Sequence, residues 1–209
     1  MRPFSITRLF GPVVALAVML SATDAHAGHG GWIKDKDNGC ALWIPHPVGG
    51  ETVTWSGPCK DGRSEGRGVF RHFQSGKLRS TYEGPMTAGK ADGKGVSTYS
   101  DGGRYVGDWR DSKQHGYGVY VWHDGTRYEG AWRDGKIHGR GVLSGPDGTR
   151  YDGDFQDGTK HGHGVYTWAD GNRQEGGYRN NKAHGSAVCT IKGREFVCHW
   201  WDGKRVPPP

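Results

Sequence analysis

The chain runs to 209 residues with a net charge of +6, and 38 of those residues are Gly. Glycine at that density excludes a helical protein, because each one costs about 1 kcal/mol in a helix interior. Only 33% of the residues are hydrophobic and mean hydropathy is −0.79, which excludes a thick core, and the modest charge leans toward anionic surfaces without pointing to nucleic acid.

Residues 1–27 read as a secretory signal peptide. Arg2 and Arg8 make a basic start, Val13 to Leu20 is an unbroken apolar run, and Ala25-His26-Ala27 offers a small-x-small cleavage site, so the mature protein is expected to begin at Gly28. A membrane anchor is the rival reading, but the stretch from Leu9 to Leu20 contains Gly11 and Pro12 and falls well short of the roughly twenty residues of a span. No Cys follows the cleavage site, which argues against a lipid anchor. The expected location is therefore periplasmic or secreted.

Residues 28–54 form a non-repeat segment in which Ala41 to Pro47 reads as an extended strand or loop covering the first edge of a sheet. From Trp55 to Gly203 a frame recurs. Tyr82, Tyr105, Tyr128 and Tyr151 advance by 23 residues each time, and each opens Tyr-x-Gly-x-(aromatic or Met). The clearest copy is Tyr128-Glu-Gly-Ala-Trp132-Arg-Asp-Gly-Lys136-Ile-His138-Gly-Arg-Gly141, closing with Asp147-Gly148. Gln174 holds the next frame, Phe196 opens a truncated last copy, and Trp55-Ser-Gly57-Pro-Cys59 is a degenerate first one, which makes about seven units. The tail 204–209 ends in Pro207-Pro208-Pro209, which cannot pair into a sheet.

These residues resemble the MORN (membrane occupation and recognition nexus) family, whose repeat runs Tyr-x-Gly-x-Trp-x-x-Gly-Lys-x-His-Gly-x-Gly. The departures are Cys59 and Met86 at the aromatic position, Ser112 for the loop Gly, Thr159 for Lys and Gln174 for Tyr. The resemblance implies protein scaffolding or contact with acidic membrane lipids.

Each unit reads as two short strands. Tyr128 to Trp132 alternates aromatic and Gly on one face with Glu129 and Ala131 on the other. Loop Arg133 to Lys136 leads to a second strand, His138 to Leu143, and turn Ser144 to Thr149 returns to the next unit. Short connections force antiparallel neighbours. The expected fold is all-β, an elongated single-layer antiparallel β-meander of 23-residue hairpin repeats. Its aromatics, Tyr105, Trp109, Tyr128, Trp132, Tyr151 and Phe155 among them, are expected to lie flat over glycines as mainly structural residues.

Four cysteines in an exported chain suggest two disulfides. Cys189 and Cys198 flank the Lys192-Gly193 turn, and Cys40 is left to join Cys59. A ladder of His115, His138, His161 and His184 also repeats every 23 residues. Equivalent positions lie about 9.5 Å apart, at about 4.8 Å per strand, whereas ligands of one zinc converge to about 2.0–2.1 Å. No metal or cofactor is expected, and the ladder reads as structural.

On the face opposite Tyr, Arg127, Arg150 and Arg173 sit near Glu129, Asp152 and Glu175 and cancel. The loops do not cancel within themselves. Arg110 and Lys113 surround Asp111, Arg133 and Lys136 surround Asp134, Arg179 and Lys182 have no acid between them, and Lys160 continues the row. A basic rim for an anionic partner is expected, strengthened as the histidines protonate between about pH 7.5 and 5.5. The sequence holds no phosphate loop, His-Glu-x-x-His or nucleophile elbow, and Gly141-Val-Leu-Ser144-Gly145 is a near miss explained by the repeat. The expected function is therefore non-catalytic binding of a protein or an anionic membrane. A glycan-binding module using the repeated aromatics is the alternative.

Overall fold

A computed structural model describes residues 30–45 and 47–207, so the signal segment with its cleavage site, and Pro208 and Pro209, lie outside the described residues. Every regular element among them is a strand. In chain order these begin with β1 (Gly31–Lys34), β2 (Ala41–Ile44), β3 (Glu51–Trp55), β4 (Cys59–Lys60), β5 (Arg63–Ser64), β6 (Gly66–Gln74) and β7 (Lys77–Thr87). Next come β8 (Lys90–Ala91), β9 (Gly93–Tyr99), β10 (Arg104–Arg110), β11 (Lys113–Val121), β12 (Arg127–Arg133) and β13 (Lys136–Ser144). The last are β14 (Arg150–Gln156), β15 (Thr159–Thr167), β16 (Arg173–Arg179), β17 (Lys182–Ile191), β18 (Arg194–Trp201) and β19 (Lys204–Val206).

The large sheet has 15 strands, and from β9 to β19 each is hydrogen-bonded to its neighbours in chain order, antiparallel throughout. This is the expected meander. Its hairpin loops are tighter than the four residues from Arg133 to Lys136, because both of those residues still pair. Only Asp134 and Gly135 turn, with φ of 50° and 84°. Two positive φ values in a two-residue loop define a type I′ turn, whose twist matches that of the flanking strands. Glycine is free to adopt it and Asp and Asn tolerate it, which is why Asp-Gly recurs there. The β10–β11, β12–β13, β14–β15 and β16–β17 hairpins also carry a bulge, as in the register shift between Gly130 and Trp132 that leaves Ala131 unpaired against β13.

The segment before the repeats does more than cover an edge. β1, β2, β5 and β4 form a separate 4-stranded sheet in which β2 pairs β5 in parallel, while β3 joins the large sheet beside β6. The small sheet's Cys40, Leu42 and Ile44 share one hydrophobic cluster with Val53, Trp55 and Met86 of the large one. Asp35 and Asn38 reach β3 itself: the Trp55 amide donates to Asp35 Oδ2 at 2.8 Å and Asn38 Nδ2 donates to the Trp55 carbonyl at 2.8 Å. Cys40 bonds Cys59 with their Cα atoms 5.7 Å apart, and Cys189 bonds Cys198 across the β17–β18 hairpin at 5.9 Å.

Candidate binding rim and aromatic face

The repeat's Tyr and Gly make one packing device. A Cβ built on Gly141 would fall within the Tyr128 ring, and one on Gly118 or Gly164 would meet Tyr105 or Tyr151 in the same way. The ring lies on bare backbone, and its hydroxyl then reaches a main-chain acceptor three residues on. Tyr82 donates to Pro85 O, Tyr105 to Asp108 O and Tyr128 to Ala131 O, each at 2.9 Å, and Tyr151 donates to Asp154 O at 3.0 Å. Trp55 repeats the arrangement with its indole N–H, 2.8 Å from Pro58 O, so the degenerate first copy packs like the others. Burial pushes the phenols of Tyr105, Tyr128 and Tyr151 well above their ordinary range.

The second aromatic of each unit stands edge-on between two such rings. Trp132 lies 5.2 Å from Tyr105 and 5.4 Å from Tyr128, and Phe155 is 5.3 Å from Tyr128 and 5.1 Å from Tyr151, all T-shaped. Tyr105, Trp109, Tyr128, Trp132, Tyr151 and Phe155 are consequently all less than a tenth exposed. Sugar stacking needs open ring faces, so these six do not supply the glycan platform considered from the sequence.

The two-residue turns line one rim, and here the expected surplus of charge is corrected. Arg110 pairs with Asp134 of the next loop at 3.1 Å, Arg133 with Asp157 at 3.4 Å and Arg179 with Asp202 at 3.2 Å. Cancellation runs between loops, not within them, because antiparallel stacking brings residue i beside the turn one unit later. The Arg110 bond also holds the Asp134 carboxyl below the usual carboxylate range. Where Gln156 replaces the Arg, the next loop has Asn180 in place of Asp, so cation and acid are lost together. Their spacing of one unit plus one residue was the available signal for the ladder.

Histidine serves the same junctions. The amides of Asp134 and Asp157 donate to Nδ1 of His115 and His138 at 3.4 Å, and the same ring atoms lie 3.5 and 3.6 Å from the carboxylates. His161, opposite the acid-free Asn180 loop, and His184, whose Nδ1 lies 3.8 Å from Asp202, both keep a buried Nδ1 with no hydrogen-bond partner. What remains of the basic rim is a lysine row. Lys113, Lys136 and Lys182 are exposed, and no carboxylate lies within ion-pair distance of them among the described residues.

Lys160 is not on the rim. It occupies the aromatic face, opposite Phe155, at the position held by Gln114, Ile137 and Ala183 in other units. It is 6% exposed, with Nζ 5.0 Å from the centroid of the Tyr151 ring and 4.7 Å from that of Tyr166. Burial pushes its ammonium down to about 8. The difference has a physical source: Thr159 holds the position of Lys113, Lys136 and Lys182, and Lys160, one residue later, is turned to the ring side by strand alternation.

Comparison with known proteins follows this geometry. Residues 82–104, 105–127, 128–150, 151–173 and 175–192 match the family model described as the MORN repeat, together more than half of the chain. No curated protein matches it. Among solved structures it is similar to the TCP domain of SAS-4 of Drosophila melanogaster, solved in complex with a proline-rich motif, with 14% identity, a TM-score of 0.42, and coverage of 85% of this chain and 95% of that one.

Proposed function

The chain belongs to the MORN-repeat family, whose arrays are protein- or membrane-binding modules, and on that premise we propose that it is an exported, non-catalytic binding protein that lays its lysine rim against an anionic membrane surface. The observation that carries this reading is the exposed row Lys113, Lys136 and Lys182, left over after the arginines are paired. A row on one rim of a rigid sheet can meet a flat surface at several points at once. The two disulfides support an oxidising compartment, in keeping with the segment read as a signal peptide. Non-catalytic action is in keeping with His115 and His138, side chains of the kind best suited to proton transfer, being engaged by the backbone amides of the next loops.

Co-sedimentation of the oxidised protein with anionic and neutral vesicles tests the proposal. Binding is expected to anionic vesicles at low salt and to fade near 1 M salt, where the screening length falls to about 3 Å. Each lysine near such a surface contributes about 1 kcal/mol, so replacing all three by Gln should weaken binding about 100-fold. Equal binding to neutral vesicles, or an unchanged affinity in the triple variant, would overturn it.

A further inference from the structure

Two neighbouring departures from the repeat leave a lysine without a counter-charge and an amide without an acceptor on the aromatic face. Lys160, less than a tenth exposed, has no carboxylate within ion-pair distance among the described residues. Its backbone is fixed on both sides, the amide donating to Asn181 Oδ1 at 2.8 Å and the carbonyl accepting from the Asn181 amide at 3.0 Å, so the side chain is committed to this face. Directly across the ladder from Tyr166 sits Gln174, where Tyr105, Tyr128 and Tyr151 stand in earlier units. Gln174 is 3% exposed and its Nε2 is buried with no partner.

A buried ammonium without a counter-charge and a buried amide without an acceptor are each costly. Both lie around the same ring, Tyr166, and both want an acceptor. Tyr151 and Tyr178 close the surroundings with centroids 4.9 Å apart. We propose that Lys160 and Gln174 form a site for a carboxylate presented to the aromatic face between Tyr151, Tyr166 and Tyr178. A carboxylate is acceptor-only and has two oxygens, so it can serve an ammonium and an amide together. A single buried positive charge suits a monoanion; a phosphate dianion would leave net negative charge among three rings. The site is separate from the lysine rim and does not depend on the membrane reading.

The test uses the full oxidised protein and two probes, sodium acetate and a terminally blocked peptide bearing one Glu, each against sodium chloride at equal ionic strength. The Lys160 ε-methylene and Gln174 amide resonances are followed by NMR. Acetate is expected to move both with one dissociation constant, and Lys160→Met is expected to weaken the response of the Gln174 amide at least tenfold, with Lys77→Met, at an exposed lysine outside the rim, unchanged. Tighter binding of the peptide than of acetate identifies an acidic polypeptide segment as the source; equal or weaker peptide binding identifies a free small acid. Resonances that respond no more to either probe than to chloride would overturn the site. So would acetate affinity retained in Lys160→Met, a variant whose folding is checked by its unshifted Tyr105 and Tyr128 resonances.

Discussion

At the residue scale, Gly141 and Lys160 make opposite predictions. Gly141→Ala places a methyl group where the Tyr128 ring lies, and should cost about 1–3 kcal/mol in chemical denaturation because neither ring nor backbone can yield. Lys160→Met should instead stabilise the protein at pH 7 by about 1–3 kcal/mol, since it removes an unpaired buried charge. The pH dependence has a defined sign. With the folded-state value of Lys160 lowered from 10.5 to about 8, both states are protonated below pH 8 and the full penalty is present. Between those values the unfolded chain binds more protons, so stability rises with pH. Tyr151, Tyr166 and Tyr178 face the amine, and burial raises all three, so they stay protonated in the fold while their unfolded counterparts ionise above about pH 10, where stability turns down. Denaturation midpoints across about pH 7–8.5, below the range where the unfolded tyrosines ionise, should climb in the parent and stay flat in Lys160→Met; equal slopes would show that Lys160 is not the group responsible.

At the scale of strands and turns, the reading depended on whether a feature lies within one unit or between two. Tyr, Gly and turn positions recur inside the 23-residue frame, and so the hairpins, the flat rings and the meander were legible without coordinates. The Arg133–Asp157 pair joins residues of successive loops, and charge counted loop by loop hid it. The same holds for His138, which the sequence marks as a structural repeat residue without showing its contact, the amide of Asp157 in the next turn. Being half exposed, the Arg133–Asp157 pair should show a coupling of about 0.2–1 kcal/mol in a double-mutant cycle. Completing the interrupted junction with Gln156→Arg and Asn180→Asp should stabilise by a similar amount, and neither change alone should do so.

At the scale of the whole molecule, each unit touches only its neighbours, and the two disulfides sit near the ends, where such a stack frays. Reduction should therefore speed amide exchange in residues 30–60 and 185–206 while leaving Tyr128 to Phe155 protected; uniform exchange would mean the array opens as one body. The small sheet was the least legible part, because a parallel pairing of β2 with β5 at the single pair Ala41 and Arg63 leaves no periodic trace. Removal of residues 128–150 should leave a folded protein two strands shorter, since Arg110 would then meet Asp157 as it now meets Asp134. That interchangeability reaches beyond any one variant. Because every charged junction takes its cation from one unit and its acid from the next, any 23-residue window between Asp111 and Phe155 carries one half of each of two pairs, wherever the window begins. A slip in copying such a window in the gene would lengthen the rim by one tooth without asking for any contact the protein does not already make.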